Sequence, residues 1–244
     1  MKTDVLQFGS RDEFVLNAAE RISAEIAQTI ERNGICSLVL SGGSTPVPVY
    51  RRLGSMDIAW HAVHVFWGDD RHVPPDSEDS NYQLAQETLL NHITIPGENI
   101  HRIHTEFMSA EDAAEDYELE IRNFAAGSMR KDGGTILVPS FDLVLLGIGP
   151  DGHTASLFPH DPALKETERL VTATGIPVLE PHRQRITMTY PLLNAARLVL
   201  FLAAGKEKKE IIEAMLTRPE SVALLYPASH IIPSEQRVFM IAEE

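Results

Sequence analysis

The chain has one cysteine, Cys36, which excludes both an internal disulfide framework and a cysteine-built zinc cluster. It has no apolar run approaching the roughly 18 residues that a membrane helix needs. Its N-terminal stretch, MKTDVLQFGSRDEF, lacks the uninterrupted apolar segment of a secretory signal. The expectation is therefore a cytoplasmic protein. Positive charge is scarce as well: 21 Lys and Arg stand against 35 Asp and Glu, a formal net charge of −14. Such an acidic chain is a poor binder of nucleic acid or of anionic membranes. Any anionic ligand must be held by local cations working against the global field. No repeat, low-complexity tract or long linker divides the 244 residues, so one domain over residues 1–244 is expected.

What the sequence does contain is alternation. Ser10-Arg11-Asp12-Glu13 is a capping box, and Val15, Ala18, Ala19, Ile22, Ile26 and Ile30 follow at helical spacing, with Gly34 as a stop. Short apolar runs occupy residues 35–40 (ICSLVL), 63–67 (VHVFW), 142–148 (DLVLLGI) and 198–204 (LVLFLAA), and residues 238–242 make a closing strand. Helical patterns begin near Pro46, cover 81–91, open again at Ser109-Ala110-Glu111-Asp112 and cover 206–216. Continuous apolar strands separated by helices predict a Rossmann-like α/β fold, a mostly parallel sheet with helices on both faces.

Ligands of open α/β sheets bind beyond the carboxyl ends of the strands. Nearly all the unusual chemistry of this chain falls there, in SGGSTP (41–46), GDDRH (68–72), GPDGH (149–153) and Gly205-Lys206. Gly42 and Gly43 permit a sharp turn, Ser44 and Thr45 add hydroxyl donors, and Pro46 suits the first turn of the next helix. These are the physics of a phosphate cradle, although a plain strand–helix turn would look the same. The loop matches neither the P-loop nor the dinucleotide fingerprint. At 68–72, Asp69 and Asp70 flank Arg71, which either balances their charge or grips an anion. Lys206, Lys208 and Lys209 crowd a helix start, where cations are disfavoured. Glu207 and Glu210 account for the last two as a solvated face, and a bound anion is the better explanation of Lys206. The sharpest pattern is Gly149-Pro150-Asp151-Gly152-His153, a glycine-dense turn presenting a carboxylate and an imidazole suited to proton transfer near neutrality. His61/His64 and His101/His104 have metal-pair spacing, but three residues along a strand place them on opposite faces. Ser156 lacks a nucleophile-elbow context.

Taken in order, SGGSTP, VFWGDDRHVPPDSEDSNY, LLGIGPDGHTASLFP and QRITMTYPLLNAARLVLFLAAGKEK resemble the glucosamine-6-phosphate isomerase/6-phosphogluconolactonase family. The resemblance covers most of the chain. Deaminase-type members carry a glutamate just before the proline that follows the GH segment; here that place is Phe158, before Pro159. Phenylalanine cannot transfer a proton, so the lactonase side of the family is the closer match. The resemblance implies metal-free, cofactor-free hydrolysis of a small sugar-phosphate lactone by a monomer or small homo-oligomer. It implies His153 as general base with Asp151 orienting it. It also implies a phosphate site made by Gly42, Gly43, Ser44, Thr45, Arg71 and Lys206, with further substrate contacts from Asp69 and Arg185. The chain reads Asp69-Asp70-Arg71 where the family pattern usually reads Asp-Glu-Arg, one methylene shorter at Asp70.

Overall fold

The computed structural model describes residues 1–125, 138–178 and 182–243. Seven strands form the main sheet: β1 (Lys2–Phe8), β2 (Cys36–Leu40), β3 (Val63–Trp67), β5 (Ile100–His101), β6 (Leu143–Leu146), β9 (Leu198–Ala204) and β10 (Gln236–Ala242). Their order is β1-β10-β9-β6-β2-β3-β5, and every neighbouring pair is parallel. In β2 and β6 every residue is buried. Successive side chains point to opposite faces of a strand, so both faces are covered, as the unbroken apolar runs predict. The helices are α1 (Arg11–Asn33), α2 (Val47–Leu53), α3 (Asn81–Thr88), α4 (Ala110–Ala125), α5 (Tyr190–Ala195), α6 (Lys206–Thr217) and the short α7 (Pro219–Val222). Among the described residues, no helix is long and apolar enough to cross a membrane.

The capping box works as its sequence suggests. Ser10 Oγ accepts the Glu13 N–H at 3.2 Å, Glu13 reaches back to the Gly9 N–H, and Gly34 closes α1 in a left-handed conformation. Phe14, Ala18, Ala19, Ile22 and Ile26 form its buried stripe.

The chain runs outward from β2 to β3 and β5 on one side, then returns to place β6, β9 and β10 on the other. The reversal lies between β2 and β6, the position where open α/β sheets leave a crevice at their carboxyl ends.

A second, smaller sheet alters the sequence-based picture. Asp69–Arg71, expected in a loop, is strand β4 of a small antiparallel sheet with β8 (Arg185–Met188) and β7 (Val171–Ala173). Gly68 joins the two sheets: its N–H donates to Leu40 O at 3.0 Å and its carbonyl accepts from Met188 N at 2.9 Å. The edge strand β1 was likewise invisible in the sequence, because it is largely exposed and has no apolar run.

Candidate active site

The strand-end loops converge on a cavity of about 260 Å³ at the β2/β6 crevice. One wall is the Ser41–Pro46 loop, which leaves β2 and leads into α2. Where the β2 ladder ends, the buried Tyr50 hydroxyl takes over: it accepts the Ser41 N–H at 2.9 Å and donates to the Ser41 carbonyl at 2.8 Å. Gly43 sits at φ 89°, open only to glycine at little cost. At Gly42 a Cβ would fall on the Asn81 carboxamide, so the glycine is needed for the close approach of α3 to this loop.

The opposite wall carries paired cations. In the antiparallel ladder Arg71 stands directly across from Arg185. Like charges in that position repel and destabilise the pair. Arg185 is 4% exposed, and burial, together with Arg71, disfavours its charge while Asp69 supports it. Both arginines line the cavity, and the Arg71 Nη1 is anchored on the Asp79 carbonyl at 2.5 Å. Two facing arginines at a cavity wall make a site for an anion.

The third wall is the turn after β6. His153 Nδ1 lies 2.5 Å from Asp151 Oδ1, and the turn is closed by Gly149 N–H to His153 O at 2.8 Å and Gly152 N–H to Gly149 O at 3.0 Å. A Cβ on Gly149 would fall on the His153 ring, and Gly152 sits at φ 76° beneath Tyr226. The turn therefore requires its glycines for packing as well as for direction. Burial alone would raise the Asp151 carboxyl, but the hydrogen bond and charge of His153 outweigh it and hold Asp151 below its ordinary range. Phe158 packs on His153 with ring centroids 4.4 Å apart and lies beneath the Arg185 guanidinium at 5.1 Å.

Of the residues singled out in the sequence, Gly42, Gly43, Ser44, Thr45, Asp69, Arg71, His153 and Arg185 line this cavity, and Asp151 contacts His153 at its rim. Lys206 does not. Its side chain is 88% exposed and its nearest carboxylate is Glu210 at 3.9 Å. Lys208 lines the cavity instead. Two residues along an α-helix are separated by about 200°, so a helix that turns Lys208 inward turns Lys206 away. Burial pushes the Lys208 ammonium down, with Glu207 and Asp151 opposing the shift. Gly205 at φ 94° makes the turn from β9 into α6 that sets this phase.

Sequence reasoning also missed Asn81 and Ser156. The Asn81 Nδ2 donates to the Asp69 carbonyl at 2.9 Å, and the buried Ser156 hydroxyl donates to Asp69 Oδ2 at 2.5 Å. Both lie inside the stretches that carry the family resemblance, but neither has a role readable there, because their partners become adjacent only in the fold. The histidine pairs behave differently from their spacing. His64 and His101 meet across β3 and β5 with Nδ1 and Nε2 3.0 Å apart, His101 contacts Glu120 at 2.6 Å, and His104 contacts Asp116 at 2.8 Å. Among the described residues, no group of three or more His, Cys, Asp or Glu is arranged to hold a metal ion.

The family model for glucosamine-6-phosphate isomerases/6-phosphogluconolactonase matches residues 9–240. The chain is similar to the 6-phosphogluconolactonase of a Synechocystis species, 38% identical over 223 residues that span 91% of this chain and 88% of the relative. It is similar in structure to the 6-phosphogluconolactonase of Thermotoga maritima, with a TM-score of 0.85 and 33% identity, covering 99% of this chain and 100% of that one. The 6-phosphogluconolactonase of Trypanosoma cruzi matches at a TM-score of 0.84 and 31% identity, over 98% of this chain and 94% of that one.

Proposed function

The chain belongs to the glucosamine-6-phosphate isomerase/6-phosphogluconolactonase family, and we infer that within it the chain acts as the lactonase. It hydrolyses 6-phospho-D-glucono-1,5-lactone to 6-phospho-D-gluconate, the second step of the oxidative pentose phosphate pathway. The observation that carries the mechanism is a single cavity with the His153–Asp151 pair on one wall and the facing Arg71 and Arg185 on another. Phe158 occupies the place of the deaminase glutamate and has no proton to give, which supports the lactonase over its sister activity.

In this reading the 6-phosphate is held by Arg71, Arg185 and Lys208, with backbone and hydroxyl donors from Gly42, Gly43, Ser44 and Thr45. Lys206 is dropped from the set. Asp69, fixed by Ser156 and Asn81, orients a sugar hydroxyl. With Nδ1–H donated to Asp151, the second nitrogen of His153 carries the lone pair and takes a proton from water as the water oxygen attacks C1. The bond from C1 to the ring oxygen then breaks, and the imidazolium returns the proton to that oxygen. The protein ends the cycle unchanged. General base catalysis of this kind contributes roughly 10²- to 10⁴-fold. The ligand is a small-molecule anion held by local cations, so a net charge of −14 is no obstacle.

The purified chain should consume the lactone well above its spontaneous hydrolysis and release no ammonia from glucosamine 6-phosphate. Ammonia release without accelerated lactone loss would overturn the assignment.

A further inference from the structure

Asp70 sits behind the cavity wall rather than in it. Its side chain is 1% exposed, yet its carboxylate gathers donors from both ends of the 72–79 loop. Oδ1 accepts the backbone N–H of Arg71 at 2.8 Å and of Asn81 at 2.7 Å. Oδ2 accepts the Tyr82 N–H and the Ser80 hydroxyl, each at 3.1 Å. A carboxylate withdrawn from water needs such a donor set. The first turn of α3, in turn, has N–H groups that the helix itself leaves unpaired and that favour a negative partner.

The residues tied together this way are those that shape the anion site. Arg71 places its guanidinium on the cavity wall. Asn81 holds Asp69 and lies against Gly42. The Asp79 carbonyl, one residue before Ser80, anchors Arg71 Nη1. We propose that Asp70 is the positioning residue of the phosphate subsite: its carboxylate clamps the backbone of Arg71 to the first turn of α3 and thereby fixes both the Arg71 guanidinium and the Asn81 carboxamide against the Gly42 loop. The proposal rests on the reading of Arg71 as a phosphate ligand.

A purely electrostatic role predicts the opposite sign. A carboxylate behind a phosphate site repels the phosphate, so neutralising it would tighten binding. Removing a clamp loosens binding. Asp70→Asn keeps the shape, deletes the charge and supplies one acceptor too few, so it separates the two.

The test is isothermal titration of 6-phosphogluconate into the parent protein, Asp70→Asn, Arg71→Met and the double variant, with lactone kinetics alongside. The clamp predicts that Asp70→Asn weakens 6-phosphogluconate binding about tenfold and raises KM in parallel, with kcat held within about twofold because His153 and Asp151 lie on another loop. It also predicts that the double variant loses less affinity than the sum of the two single losses, because Asp70 acts in part through Arg71. Unchanged or tighter binding by Asp70→Asn, with Arg71→Met weakened, overturns the clamp and leaves the phosphate reading standing. Full affinity in Arg71→Met overturns the phosphate reading itself. A measurement on the parent protein needs no variant to fold: the amide resonances of Arg71, Asn81 and Tyr82 should shift together in one step as Asp70 takes up a proton. Independent movement of the three contradicts the clamp.

Discussion

The Asp151 carboxylate oxygen that lies 2.5 Å from His153 Nδ1 also accepts the His153 backbone N–H at 3.1 Å. One oxygen thus fixes both the ring and the main chain of a residue two positions away, and the orientation of the base is set within its own turn. Asp151→Asn breaks this arrangement, because a carboxamide cannot supply a charged acceptor at that point. Its kcat for the lactone should fall roughly 10²-fold with KM little changed. Steady-state kinetics at neutral pH check the split between the two constants.

Gly149 supports the same ring from the other side. Its φ lies outside the left-handed region, so alanine fits the backbone, but the new Cβ would fall on His153. Gly149→Ala should therefore cost catalysis more than stability. We expect kcat to drop at least tenfold and the thermal midpoint to fall as the ring is displaced, while 6-phosphogluconate binding stays close to the parent value.

Lys208 and Lys206 provide a matched pair. Lys208→Met should raise KM about tenfold by removing a charged contact to a phosphate remote from the reacting carbon. Lys206→Met, at a side chain that is 88% exposed, should leave both constants within about twofold. The reverse ranking in a kinetic comparison would return the contact to Lys206.

Asp70 gives a pH signature. Burial pushes its carboxyl up to about 6, against the backbone hydrogen bonds that lower it, while an unfolded aspartate titrates near about 3.9. Between those values the folded chain holds a proton that the unfolded chain has lost. The stabilising contribution is therefore full below about pH 4 and disappears as pH rises through about 6. Relative to Asp70→Asn, the parent protein should lose about 2 kcal/mol of stability between about pH 4.5 and 7. Urea unfolding of both proteins at pH 4.5 and 7 reads the difference, and a slope of opposite sign contradicts the assignment.

The loops were readable because glycine, proline and charge cluster where apolar runs stop. SGGSTP and GPDGH stand out on that basis alone, and the continuous runs of β2, β6 and β9 announce a sheet covered on both faces. What stayed hidden depends on partners far apart in sequence. Asp69-Asp70-Arg71 looks like a charged loop until β8 pairs with it and brings Arg185 opposite Arg71. Asp70 looks like a spare acid until α3 arrives with two backbone N–H groups. Asn81 and Ser156 are ordinary polar residues whose roles come from contact with Asp69. The misplaced lysine has a simpler cause. Position after a strand end identifies the right helix turn, but rotation about the helix decides which lysine of that turn lines the cavity.

The most direct measurement is lactone hydrolysis by His153→Ala, followed above the spontaneous background, with 6-phosphogluconate binding measured on the same preparation. With His153 as the base, the enzymatic rate should fall roughly 10²- to 10⁴-fold with the affinity for 6-phosphogluconate retained, because Arg71, Arg185 and Lys208 lie on other walls of the cavity. Undiminished hydrolysis in a folded His153→Ala protein would contradict the assignment of His153 as the base.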